Sequence, residues 1–290
     1  GGQDLTLRPE GTAAVCRAYL EHGMSNGPQP VRLYYISPMF RYDRPQAGRY
    51  RQHHQFGVEV IGDSDPVVDA EVIQLALHTV NTLGLSAVEL ILNTIGDVAE
   101  RPLYLKALHD YYVPFKESLC DDCVRRHYEN PLRLLDCKNS QCQPFLKGAP
   151  KSSEFLGKLA QEHWNLLLGY LDKVGVPYRL DHRLVRGLDY YSRTVFELQP
   201  SSEGAQSSIA AGGRYDGLIQ QLGGQAVPGI GFAMGLERVI KNLEEQGVNV
   251  PDAEIPPVVV VHSGSDAKQA AFLLSSRLRR LGIRLVMAPA

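Results

Sequence analysis

Residues 41–60 read RYDRPQAGRYRQHHQFGVEV and hold four arginines, Arg41, Arg44, Arg49 and Arg51, with two histidines. Lys and Arg together number 30 in 290 residues, so an average stretch of this length would carry about two. Guanidinium is planar, keeps its proton near neutral pH and binds phosphate through paired hydrogen bonds. Two further arginines stand out, Arg186 in LVRGLDYY and Arg238 in GLERV. Arg41, Arg186 and Arg238 each lie among apolar or glycine neighbours, where a charge is costly unless it meets an anion. Arginines gathered from such distant places suit a polyphosphate. The chain has no GxxxxGK[ST] loop, so they would have to neutralise it together with a metal ion. GGRYDG and GIGFAMG fit neither a P-loop nor a dinucleotide fingerprint. Glycines on several adjacent strands predict instead a flat ligand lying against a sheet, and an adenine ring fits.

A second group of residues suits a small polar substrate. Gln55 and Glu59 are four apart, so the two-residue strand period puts both on one face. Glu59, between Val58 and Val60, reads either as part of an exposed face or as a polar group inside an enclosed pocket. Glu10 and Thr12 of LRPEGT can add to such a pocket. Tyr190 and Tyr191 are consecutive and are expected on opposite faces of a strand, one lining the pocket and one packing. Cys120, Cys123, Cys137 and Cys142 form a third group, spaced C-x2-C and C-x4-C. The spacing suits a structural site of four thiolates around zinc, and it also suits four reduced cysteines near a helical turn. Cys16 is expected as an ordinary core thiol.

The elements that must position these groups are legible in outline. Helical spacing covers 12–23. VRLYYISPMFRYD (31–43) and QHHQFGVEVIG (52–62) predict two strands joined by the RPQAGRY loop in a long antiparallel hairpin. DSDP caps a helix over 66–84, and AVELILNT (87–94) follows as a strand. Residues 98–178 change texture to a helical insertion carrying the cysteines, with a long helix over 152–174. Strand texture resumes at 184–199 and 207–218, and 229–247 runs from a glycine-punctuated strand into a helix. NVPDAEIPP reads as a linker, and 257–290 as the start of a parallel βαβ unit. The predicted class is α+β: an antiparallel sheet flanked by helices, formed by 1–97 and 179–247, with the insertion at 98–178 and an incomplete α/β domain from 257. Net charge is −2, so no global basic field points to nucleic acid. No apolar run approaches the ~20 residues of a spanning helix, and a cytoplasmic protein without a membrane partner is expected.

TLRPEGT, MFRYDRPQAGRYRQHHQFGVEVIG, LVRGLDYYSRTVFE, AAGGRYDGLI and GIGFAMGLERV resemble histidyl-tRNA synthetase, a class II aminoacyl-tRNA synthetase, in order from residue 5 to at least 245. The segment 257–290 resembles the beginning of that family's anticodon-binding domain. The resemblance implies that L-histidine and ATP with Mg2+ form histidyl-adenylate, which passes to tRNA(His). It implies that Arg41 grips the α-phosphate and the substrate carboxylate, and that Arg186 opposes it across the α-phosphate. Arg49 and its loop close on the triphosphate and the tRNA end, and Arg238 takes the γ-phosphate. Glu10, Thr12 and Gln55 hold the α-amino end, Glu59 with Tyr191 brackets the imidazole, and Tyr215 closes the pocket. A carboxylate and a phenol on the two ring nitrogens make sense of histidine specificity, because a competitor without them leaves Glu59 buried and unpartnered.

The chain opens GGQDLTLRPEGT inside a patterned segment and stops at RLVMAPA just after a strand, so both ends look cut. The dimer-building first motif of class II enzymes would precede residue 5. A homodimer is expected of the full-length protein, and weak or absent activity of this chain alone. A non-catalytic relative, the regulatory subunit of ATP phosphoribosyltransferase, shares the fold but can dispense with phosphate-gripping arginines. A generic RNA-binding α+β protein leaves Glu59 and the tyrosines without a purpose.

Overall fold

The computed structural model describes residues 5–42, 50–201, 208–249 and 258–288. Helix α1 (Thr12–Glu21) starts where the Glu10 carboxylate accepts the amides of Thr12 at 2.6 Å and Ala13 at 2.9 Å. Strands β1 (Val31–Phe40) and β2 (Gln52–Ile61) pair antiparallel along their whole length, from Val31 opposite Ile61 to Phe40 opposite Gln52. The expected hairpin is therefore present. Its connecting loop, with Arg44 and Arg49, lies outside the described residues. Asp65 caps α2 (Pro66–Thr82) by accepting the Val67 amide at 2.8 Å, with Pro66 in the first turn where its missing N–H costs nothing. Strand β3 (Val88–Thr94) follows.

The insertion contributes α3 (Arg101–Tyr112), α4 (Asp121–Glu129) and the short α5 (Gln143–Leu146), linked by 3-10 turns. Tyr104, Leu108, Leu134 and three of the cysteines build a core of its own here. The long helix expected over 152–174 is divided: a 3-10 turn at Ser152–Phe155, then α6 (Lys158–Lys173). Gly157 stands extended between them and interrupts the helix. By packing, α6 belongs with the sheet, since Trp164, Leu167 and Leu171 enter the same core as Val72, Ile73 and Val80 of α2. The apolar stripe of α6, not its place in the chain, decides which body it joins.

After the two-residue β4 (Arg179–Leu180) come β5 (Ser192–Pro200), β6 (Ala210–Arg214), the short α7 (Leu218–Gln221), β7 (Gly229–Gly235) and α8 (Leu236–Glu245). The seven strands lie in the order β1-β2-β7-β6-β5-β3-β4, antiparallel except for β3 with β4. Alternation assigns the two faces. Phe56, Val58, Val60, Ile230, Phe232 and Met234 turn toward the helix-covered core, so Gln55, Gly57, Glu59, Gly231, Ala233 and Gly235 turn the other way.

One expectation fails at an informative place. The strand expected over 184–199 begins only at Ser192; residues 184–191 are loop. A bulge between Ser192 and Val195 puts Arg193 at φ 47, held by Asp97 through Nε at 2.6 Å and Nη2 at 3.0 Å. The chain divides after Val248 into two compact units. The second contains β8 (Val258–Val260), α9 (Ser265–Arg280) and β9 (Leu285–Met287), with β8 and β9 parallel, a βαβ unit.

Candidate active site

The face of the sheet away from the helical core carries a cleft of about 190 Å³. Arg41, Arg186 and Arg238 all line it, although they come from the end of β1, a loop and the first turn of α8. Arg41 is anchored by donating from Nε to the Pro9 carbonyl at 2.8 Å, and Arg238 by donating from Nη1 to the Ser208 carbonyl at 3.0 Å. Arg186 donates to Glu197 at 2.6 Å and lies over the Tyr191 ring, while its buried Nε has no partner among the described residues. Glu10, Thr12, Gln55, Tyr190 and Tyr191 complete the predicted set on the wall.

Tyr190 and Tyr191 both face the cleft, with ring centroids 4.7 Å apart. The expectation of opposite faces required a strand, and a loop releases consecutive residues from that alternation. The loop is instead held from outside. Arg101 donates to the carbonyls of Asp189, at 3.2 Å, and of Tyr191, and Asn130 donates to the Asp189 carboxylate at 3.2 Å.

Glu59 and Tyr215 do not form the wall; they lie just beneath it. Glu59 is fully buried, accepting from Thr12 Oγ1 at 2.7 Å and from the Tyr215 hydroxyl at 2.6 Å. Tyr215, expected to close the pocket, is likewise buried and donates to the carboxylate from behind. The cause is Gly231, which faces Glu59 across the β2–β7 pair; a Cβ there would fall on the carboxylate oxygen. Burial pushes the Glu59 carboxyl up to about 8, only partly offset by the hydrogen bonds from Tyr215 and Thr12. A carboxyl with its pKa this close to neutral pH can gain or lose its proton at small cost.

Of the strand glycines from which the sequence suggested a flat ligand, Gly231 and Gly235 line the cleft, while others seat the protein's own side chains. Gly57 and Gly11 sandwich the Tyr35 ring, Gly229 seats Tyr215, and Gly213 seats Tyr191. Close backbone approach is the purpose, but it is the protein's own side chains that approach.

The sequence model of the family described as "Histidyl-tRNA synthetase" matches residues 1–100 and 134–239. Histidine–tRNA ligase of Dehalococcoides mccartyi is 54% identical over 283 residues, 98% of this chain and 68% of that protein. The Desulforamulus reducens ligase is 50% identical over the same shares. This chain belongs to the histidyl-tRNA synthetase family. The crystal structure of apo Staphylococcus aureus histidyl-tRNA synthetase superposes with TM-score 0.76 at 40% identity, covering 97% of this chain and 68% of that one. An ATP phosphoribosyltransferase regulatory subunit/histidyl-tRNA synthetase from Bacillus halodurans shares the fold, with TM-score 0.66 at 22% identity.

Within this synthetase frame the structure brings in residues that sequence reasoning passed over. Glu197 pairs with Arg186 from the neighbouring strand. Tyr35 lines the cleft with a buried hydroxyl that has no partner among the described residues. Glu237, on the wall beside Arg238, accepts the His54 amide at 2.9 Å and pairs with its Nδ1 at 2.9 Å. Beneath the sheet, Asp69 receives Arg214, Thr194 Oγ1 at 2.6 Å and His163 Nε2 at 2.8 Å. Burial alone would raise the Asp69 carboxyl; Arg214 and His163 outweigh it and hold the group below its ordinary value. Arg214 in AAGGRYD was findable by the rule that singled out Arg41 and Arg186, an arginine among small apolar residues. In the insertion, the sulfurs of Cys120, Cys123, Cys137 and Cys142 all lie within 4.8 Å of one another, away from the cleft.

Proposed function

We propose that this protein is a histidine–tRNA ligase, joining L-histidine to ATP as histidyl-adenylate and passing the histidyl group to the 3' end of tRNA(His). One observation carries the reading: three arginines remote in sequence meet on one cleft directly above a buried carboxyl group. In this reading Gln55, Glu10 and Thr12 face the histidine α-amino group, and Glu59 accepts an imidazole N–H with Tyr191 at the ring's other side. Tyr190 packs against Tyr191 and supports it. Arg41 and Arg186 hold the α-phosphate from two sides and Arg238 takes the γ-phosphate; a triphosphate-binding role is assigned as well to Arg49, which lies outside the described residues. The substrate carboxylate attacks the α-phosphorus in line, the bond to the pyrophosphate oxygen breaks, and pyrophosphate leaves. No protein nucleophile is needed, so catalysis is positioning and charge neutralisation.

ATP arrives with Mg2+. Glu237 on the cleft wall gives one carboxylate beside Arg238, and one carboxylate with phosphate oxygens is a donor set that Mg2+ commonly takes. The unit ending at Val248 is assigned as the catalytic body with its insertion, and 258–288 as the start of an anticodon-binding domain. A homodimer of the full-length protein and a cytoplasmic location belong to the same proposal, as does structural zinc at the four cysteines. No helix among the described residues is long and apolar enough to cross a membrane. A purely regulatory relative can dispense with the three arginines, and here all three are present on the cleft. Histidine-dependent ATP–pyrophosphate exchange tests the reading: exchange must require histidine and fall at least ~10²-fold in Arg41→Ala. Histidine binding without exchange would point to the regulatory alternative.

A further inference from the structure

The cysteine cluster does more than suit a metal; it sits in the body that grips the loop carrying Arg186. Cys120 and Cys137 have their sulfurs 3.9 Å apart, and four zinc-bound thiolates stand roughly 3.8 Å apart along each tetrahedral edge. That separation is about twice a disulfide bond, and all four cysteines are free. Two backbone amides already point at ligand sulfurs: Cys120 N to Cys142 Sγ at 3.3 Å, and Asn139 N to Cys137 Sγ at 3.4 Å. Such outer contacts orient thiolate ligands. The insertion is small and its core contains three of these cysteines, so closing the cluster closes the core.

The same core contains Val185, the residue before Arg186. From Cys137 a second chain of contacts reaches the loop. Its neighbour Asp136 faces Arg126 at 3.5 Å and Arg133 at 3.4 Å. Arg133 lies against Gly187, and Asn130 donates to Asp189. We propose that the four cysteines bind one Zn2+ as thiolates, releasing their protons to solvent, and that the ion fixes the 184–191 loop so that Arg186 stands in the cleft. The catalytic part of this inference rests on the role assigned to Arg186 above; the metal and the loop anchoring do not. The cysteines are positioning residues, since none lines the cleft.

The experiment uses the protein purified reduced from zinc-supplied cells, with metal content, amide hydrogen exchange and ATP–pyrophosphate exchange measured on one sample. Expected are one zinc per chain and, on chelation, at least ~10-fold faster amide exchange in 184–191 with β2 and β7 unchanged. Turnover falls while KM for histidine moves little, and added Zn2+ restores turnover and the slow exchange of 184–191. Cys123→Ser should lose the metal and copy the chelated state; if that variant does not fold, chelation of the wild type gives the same answer. Absence of zinc, or a coloured iron site in its place, overturns the metal assignment. Zinc whose removal leaves 184–191 unchanged overturns the anchoring. Faster loop exchange with unchanged turnover upholds the anchoring and refutes the role of Arg186 instead.

Discussion

Replacing Glu59 by glutamine should strengthen the fold and weaken the site at once, and the two effects can be separated by pH. The native carboxyl titrates at about 8 against an ordinary value of 4.5. Its native pKa is raised, so the folded state holds the proton more tightly than the unfolded chain does between those values. Stability therefore falls as pH rises through the window from 4.5 to about 8. At about 1.36 kcal/mol per pH unit, the whole window corresponds to about 5 kcal/mol. The group is fully buried, so solvent screening removes little of this. The amide of Gln cannot titrate and has the same shape. Thr12 and Tyr215 donate to the carboxylate through hydroxyls that can turn and accept, so rearranging one hydrogen bond costs about 1 kcal/mol.

Urea unfolding of wild type and Glu59→Gln at matched pH values reads the difference directly, because every other titrating group is common to both. Near pH 5 the two should be equal within about 1 kcal/mol. By pH 7.5 the variant should be the more stable by about 3 kcal/mol. Histidine binding, measured above pH 8 where the carboxyl is ionised, should move the other way, weakening ~10- to 100-fold, since a hydrogen bond to a charged partner is worth about 1.5–3 kcal/mol. Parallel stability curves would mean that the carboxyl is not desolvated, and the reasoning from burial would fail. Unchanged histidine affinity would remove Glu59 from the recognition of the ring.

Arg186→Ala should cut adenylate formation at least ~10²-fold while histidine affinity stays within about threefold, measured by pyrophosphate exchange and equilibrium binding; lost affinity with normal turnover would place the role elsewhere. Gly231→Ala should lower both melting temperature and histidine affinity, because the methyl meets Glu59 Oε2 and the Val58 carbonyl, and a neutral outcome would show that the sheet can yield there. Arg214→Met should destabilise the protein by about 3–5 kcal/mol at neutral pH by leaving the Asp69 carboxylate buried without its cation. Asp69 has a lowered native pKa, so its contribution is present above 3.8 and is lost as pH falls through the lowered value. The deficit of Arg214→Met should therefore shrink in acid, and a deficit independent of pH would assign it to packing.

What the sequence made legible was local. The 31–43 and 52–62 strands, the Asp65 cap and the βαβ unit from 258 follow from periods and capping chemistry that act within a few residues. The cleft's arginines were legible because a charge among apolar neighbours must be answered somewhere. Three features were not. The 184–191 segment has strand-forming residues but is held as a loop by Arg101 and Asn130, more than fifty residues upstream in the chain. The helix at 158–173, placed in the insertion by its position in the sequence, packs with α2. The depth of Glu59 depends on which residue stands opposite in the register, and that pairing is tertiary information.

The glycines tie these points together. A glycine inside a strand costs roughly 0.5–1 kcal/mol relative to alanine, and this sheet carries Gly57, Gly213, Gly229 and Gly231 on its cleft side. Their combined cost, roughly 2–4 kcal/mol, is hard to understand as strand design. It becomes intelligible once each is matched to what lies on it: Tyr35, Tyr191, Tyr215 and Glu59 respectively. A ring or carboxylate laid against bare backbone is closely confined, and the polar ends of Glu59 and Tyr215 are fixed to each other at 2.6 Å before any substrate arrives. A reaction that proceeds by positioning and charge neutralisation gains most from groups fixed in that way. The stability surrendered along the strands is then the counterpart of the rigidity of the cleft, and the burial that raises Glu59 and the glycine opposite it are two consequences of one arrangement.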